Sequence, residues 1–194
     1  MSKNLPTHPL QGLLAKAQAT LPATTGRVAA QQARIDRRQG ATVILADISA
    51  SMACSAGGDQ RKIDVLRDAV AGARRQRDAR LFAFSTAARE VDSIPEPENN
   101  TNLAGALEHV LPLDPGTVLV ISDGQPDNAE RALAAAKRFR GAIDVLYVGP
   151  GSDSAAIAFM RRLASAAGGD VQNHDISKRS NALQLQTRIS KLLR

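Results

Sequence analysis

The 194-residue chain has no tryptophan, one tyrosine, one cysteine and three histidines, and aromatic residues make up 3% of it. Each scarcity excludes something. A lone Cys54 cannot form an internal disulfide, which agrees with a reducing compartment. His8, His109 and His174 lie far apart, without the close spacing of a zinc site. So few aromatic rings leave little on which single-stranded bases could stack. No run approaches the roughly 18 apolar residues of a membrane span. The first apolar stretch, broken by Gln11, Lys16 and Gln18, does not read as an export signal. The expected location is cytoplasmic.

Hydrophobic residues form 43% of the chain, enough at this length for one sizeable core. The net charge of +6 is unevenly spread. Residues 1–40 hold six bases (Lys3, Lys16, Arg27, Arg34, Arg37, Arg38) against one acid, Asp36, which is +5 and leaves +1 for residues 41–194. The high pI therefore belongs to an N-terminal extension. The expected organisation is a basic extension over 1–38, partly helical or a tether, and a domain over 39–194. Within the extension the pattern allows a short helix over 10–20, and "RVAAQQARIDRR" reads as a second helix or as tether. Its charge suits an anionic surface or nucleic acid. A solvated tether or a helix that docks on a partner is the preferred reading, and nucleic acid is not expected.

From residue 41 the pattern becomes regular. "TVILA" (42–46), "ARLFAF" (79–84), "TVLVIS" (117–122) and "IDVLYV" (143–148) are nearly continuous apolar runs, as in parallel strands covered on both faces. "REVDSI" (89–94) alternates, as a short antiparallel edge strand does. Between them lie helical spacings: Ile63, Leu66, Val70, Ala73; Leu103, Leu107, Val110, Leu111; "PDNAERALAAAKRF" (126–139); "SAAIAFMRRLASAAGG" (154–169); and Leu185, Ile189, Leu192, Leu193. The expected fold is α/β: a doubly wound, mostly parallel sheet with one antiparallel edge strand and helices on both faces.

In open α/β sheets ligands bind beyond the carboxyl ends of the strands, where strand order reverses. Asp47 and Asp123 each follow an apolar run and are expected at that edge. Ser49 and Ser51 follow Asp47 at alternate positions, and an extended chain would point all three side chains one way. Thr101 is expected to open a helix on a loop at the same edge. Two carboxylates and three hydroxyls are hard oxygen donors of the kind magnesium or manganese prefers. With only two acids, a bound ion keeps net positive charge and would attract an outside carboxylate.

"DISAS" (47–51), "TNLAGAL" (101–107) and "ISDGQPDN" (121–128) resemble, in order and spacing, the three parts of the metal-ion-dependent adhesion site of von Willebrand factor A domains. The resemblance covers roughly residues 41–194. It implies a Rossmann-like fold and an ion held by Asp47, Ser49, Ser51, Thr101 and Asp123. It also implies a protein partner that supplies a Glu or Asp to the ion, and no catalysis. Intracellular members of this family often work with AAA-type ATPases, so such a partner is implied too. "YVGPGSDS" (147–154) is similar to a Gly-bearing loop of the family, and Ala50 departs from it where Gly is frequent.

Competing readings are weaker. A haloacid-dehalogenase-type phosphatase would want an acid where Ser49 stands. Cys54 and Arg61 enclose one residue more than a thiol-phosphatase cradle. "GPGSDS" suits a phosphate but lacks an acidic ribose partner. A metal-dependent phosphoester hydrolase would need a general base and a nucleophile or activated water, and no histidine or lysine is expected beside the five oxygens.

Overall fold

The computed structural model describes residues 26–57 and 59–193. The helix expected over residues 10–20 lies outside them. The chain divides after Asp36 into two units. Helix α1 (Gly26–Arg37) realises the "RVAAQQARIDRR" pattern, and within it Gln32 donates to Asp36 one turn on at 2.8 Å.

The second unit carries a six-stranded sheet. Its strands are β1 (Thr42–Asp47), β2 (Arg80–Phe84), β3 (Ala88–Glu90), β4 (Thr117–Ser122), β5 (Ala142–Tyr147) and β6 (Val171–Asn173). Their order is β3-β2-β1-β4-β5-β6, and only β3 runs antiparallel, pairing with β2. Chain order reverses between β1 and β4, so the topological switch point lies between these two central strands. Five helices surround the sheet: α2 (Lys62–Arg74), α3 (Leu103–Val110), α4 (Ala129–Ala136), α5 (Ser154–Ala166) and α6 (Arg179–Leu192).

The continuous apolar runs now have their reason. Val43, Leu45, Val118, Val120, Ile143 and Val145 pack with α3, α4 and α5. Ile44, Ala46, Leu119, Ile121 and Leu146, one residue out of phase, pack with α2 and α6. Period-two alternation therefore serves two cores, and the interior positions of β1, β4 and β5 are apolar on both sides. Asp144 is the exception in β5. It is buried, and Arg38 grips it with both guanidinium nitrogens while the Asp170 N–H donates at 2.9 Å.

Several bounds differ from the sequence expectation. The helix expected from Pro126 starts at Ala129, because the Asn128 side chain accepts from the Arg131 N–H and sets the cap there. The edge strand is confined to Ala88–Glu90. Strand β6 was not expected at all: three residues, two half-exposed and one exposed, carry no periodic signal. Helix α5 stops as expected, with Gly168 at φ +71°. Among the described residues no helix is long and apolar enough to cross a membrane.

Candidate metal centre

Asp47 is the last residue of β1 and Asp123 directly follows β4, so the two carboxylates emerge side by side at the switch point. Both are buried. A hydrogen-bonded chain joins them. The Ser122 hydroxyl donates to Asp47 Oδ2 at 2.6 Å, and the Ser49 N–H donates to Asp47 Oδ1 at 2.8 Å. The Ser49 and Ser51 hydroxyl oxygens lie 3.0 Å apart. Ser51 donates onward to Asp123 Oδ1 at 2.6 Å. Burial pushes the Asp47 carboxyl up to about 6, against the lowering effect of the bonds from Ser122 and Ser49.

The local backbone departs from a simple extended segment. Ser49 is extended (φ −62°, ψ 163°), but Ala50–Ala53 form a 3₁₀ turn in which Met52 is buried. Ser51 therefore reaches Asp123 from a helical turn rather than from a strand. Ala50 opens that turn without a positive φ, so alanine meets no backbone penalty where a glycine is frequent.

Thr101 is held nearby but differently. It precedes α3 by two residues, and Asn102 rather than Thr101 caps that helix by accepting from the Gly105 N–H. Thr101 and Asp127 clamp each other. The Thr101 N–H donates to the Asp127 carboxylate at 3.1 Å, and the Asp127 N–H donates to the Thr101 carbonyl at 3.1 Å. Among the described residues no hydrogen bond joins the Thr101 hydroxyl to the other four candidates. The structure thus links Asp47, Ser49, Ser51 and Asp123 into one network and sets Thr101 on the adjoining loop.

Three residues of this site carried no role in the sequence reading. Ser122 and Asp127 lay inside the quoted "ISDGQPDN" but have no distinctive spacing of their own. Lys62 is the larger omission and corrects the view that no lysine stands beside these oxygens. Its ammonium lies 2.5 Å from Asp123 Oδ2, with the two side chains only 10% and 1% exposed. Fifteen positions separate it from Asp47, and only the packing of α2 brings it here.

The rim is braced by charge. Arg61 forks Asp64 and also reaches Glu96, and Arg67 adds contacts to both. The guanidinium of Arg61 holds the Asp64 and Glu96 carboxyls below their usual range. Glu98 accepts from Arg89 and Ser85, and its N–H donates to the Ile48 carbonyl at 2.6 Å. Loop 95–100 is therefore fastened to the ends of β1 and β2. Cys54 is exposed at the end of the 3₁₀ turn, where its N–H donates to the Ser51 carbonyl and its carbonyl accepts from the Lys62 N–H. Among the described residues His109 meets Phe82 edge to face at 5.8 Å, and His174 pairs with the Asn181 carbonyl at 2.6 Å.

The donor set suits a hard cation. It offers two carboxylates and converging hydroxyls, and a cation, the Lys62 ammonium, already sits on one of the carboxylates. Among the described residues no group of three His, Cys, Asp or Glu converges, so an ion here would depend on the hydroxyls.

No protein-family profile matches the chain, and no curated protein does. Among solved structures it is similar to the RO (RSR) protein of Deinococcus radiodurans, at 15% identity and a TM-score of 0.47. That match covers 78% of this chain and 35% of the other, so the chain spans about a third of that protein's length. It is also similar to a protein of Burkholderia pseudomallei described as pilus assembly-related, at 14% identity and a TM-score of 0.37. There the match covers 77% of this chain and 90% of the other.

Proposed function

We propose that this domain binds a protein partner through a divalent ion, magnesium or manganese, in the manner of the von Willebrand A domains its motifs resemble. The observation that carries the reading is the continuous hydrogen-bonded path Asp47–Ser49–Ser51–Asp123 at the carboxyl ends of β1 and β4. Asp47, Ser49, Ser51, Thr101 and Asp123 are the residues that would hold the ion. The ion would supply a positive centre that completes its shell with a carboxylate of the partner. Around it, loops 52–57 and 95–100 form the rim that selects the partner, and the Arg61–Glu96 and Arg89–Glu98 pairs hold the second loop in place. In this reading the chain is a binding module of an intracellular assembly.

The test is capture of partners from host lysate by the full chain in magnesium, in EDTA, and with Asp47→Ala in magnesium. A protein held only by wild type in magnesium supports the reading. Equal capture in all three arms overturns it.

One observation favours a second reading. Lys62 places an ammonium on Asp123, whose other oxygen accepts from Ser51, and a phosphoester hydrolase could use that charge to neutralise a developing anion. Magnesium-dependent turnover of simple phosphoesters, lost in Lys62→Ala and Asp47→Ala, would support hydrolysis; no turnover would leave the binding module.

A further inference from the structure

We infer that Lys62 is a built-in counter-cation of Asp123 that competes with a divalent ion for this carboxylate. The inference rests on the metal-site reading above and concerns a residue outside the five oxygen donors.

Four observations converge on Lys62. Its ammonium lies 2.5 Å from Asp123 Oδ2, while Ser51 holds Oδ1 at 2.6 Å, so both oxygens of this carboxylate are already engaged. The pair is buried, which strengthens attraction between its members and repulsion toward any further cation. Lys62 is also the first residue of α2, and a cation at a helix N-terminus opposes the macrodipole. Asp123 is the group that offsets this unfavourable placement. Finally, the Lys62 N–H donates to the Cys54 carbonyl at 2.9 Å, and Ser55 and Arg61 form a bridge beside it. Its backbone is thereby tied to the turn that presents Ser49 and Ser51.

The consequence is a site with two occupants of one charge sign. The ammonium neutralises Asp123 at Oδ2 while Ser51 holds Oδ1. An incoming ion takes Asp123 only by separating that carboxylate from Lys62. The backbone ties mean that shifting Lys62 pulls on residues 54–55, next to the rim. Lys62 therefore sets the ion affinity low, and partner binding, by adding a carboxylate to Asp47 and Asp123, is what makes the displacement favourable.

The experiment is titration of the full chain with Mn2+, following free ion by electron paramagnetic resonance. It compares wild type, Lys62→Gln, Lys62→Arg, Asp47→Ala, and Lys62→Gln combined with Asp47→Ala. Glutamine keeps a donor for Asp123 and removes the charge, and arginine keeps the charge; circular dichroism verifies that each variant is folded. Lys62→Gln is expected to bind Mn2+ at least about tenfold more tightly than wild type, an effect the size of one nearby charge in a partly buried site. Lys62→Arg should stay within about threefold of wild type, below the tenfold that one such charge is worth. Equal or weaker binding in Lys62→Gln, with binding still lost in Asp47→Ala, overturns the role of Lys62 and leaves the metal site standing. Binding that persists unchanged in the Asp47→Ala variants, or no binding in any variant, overturns the metal site and the role of Lys62 with it.

Discussion

The Ser122 hydroxyl donates to Asp47 Oδ2 at 2.6 Å, across the junction of β4 and β1. It is a bond between the two strands that flank the switch point, made by a residue next to one candidate ligand to the other. Both groups are buried, so neither has water as an alternative partner. The bond fixes the Asp47 carboxylate plane while leaving the carboxyl high, at about 6.

That raised value gives a pH dependence with a definite sign. A carboxyl that holds its proton more tightly when folded stabilises the fold below its unfolded value, near 3.8, and that contribution is lost as pH rises through about 6. In EDTA, stability should therefore fall between pH 4.5 and pH 6.5 by about 2 kcal/mol relative to Asp47→Asn, which lacks the titrating group. Urea melts of both proteins across this range measure it. Parallel curves would refute the buried-carboxyl assignment.

Asp123 and Lys62 should behave as one buried pair. Asp123→Ala leaves the ammonium buried without its partner and should destabilise the metal-free protein by about 3–5 kcal/mol. Adding Lys62→Met should recover most of that loss, since a matched apolar replacement removes both charges. Chemical denaturation in EDTA of the two single variants and the double variant gives the coupling. Additive losses would mean the pair does not act as a unit.

Gly149 should not tolerate a side chain. A Cβ there would stand 2.3 Å from the Asp123 carbonyl oxygen and 2.5 Å from the Tyr147 hydroxyl, and the first of these is backbone that cannot turn aside. Gly149→Ala should lower stability by about 1–3 kcal/mol, as overpacking does, and weaken Mn2+ binding by moving Asp123. A melting curve and an ion titration report the two effects separately.

The Thr101–Asp127 clamp should control the order of its loop. Asp127 is exposed, so Asp127→Ala should cost under about 1 kcal/mol globally, as surface substitutions do. It should nonetheless speed amide hydrogen exchange over residues 100–103, where the carboxylate now accepts the Thr101 N–H. Unchanged exchange there would show that the Asp127 N–H to Thr101 carbonyl bond suffices.

The hydrophobic pattern was enough to read the layer architecture. Runs such as "TVILA" and "TVLVIS" are apolar at every position from Val43 to Ala46 and from Val118 to Ile121 because β1 and β4 face helices on both sides, and that requirement is written one residue at a time. The positions of Asp47 and Asp123 were legible for the same reason: each ends such a run, and the chain emerges there from the core. Strand β6 was not legible, because Val171, Gln172 and Asn173 hold their place through pairing with β5 rather than through their own pattern. The turn at Ala50–Ala53 was also missed, since buried Met52 supplies a single anchor with no periodicity.

The sequence by itself determined the α/β class, the two carboxylates at strand ends and the hydroxyls that follow them, because these depend on local spacing and on which residues must be buried. Only the tertiary structure decided what those oxygens touch. Lys62 reaches Asp123 across 61 positions, Ser122 reaches Asp47 across 75, and Thr101 is held by Asp127 on another loop. Such pairings follow from strand order and helix docking, which place distant residues at one sheet edge, and no short-range pattern in the chain encodes them.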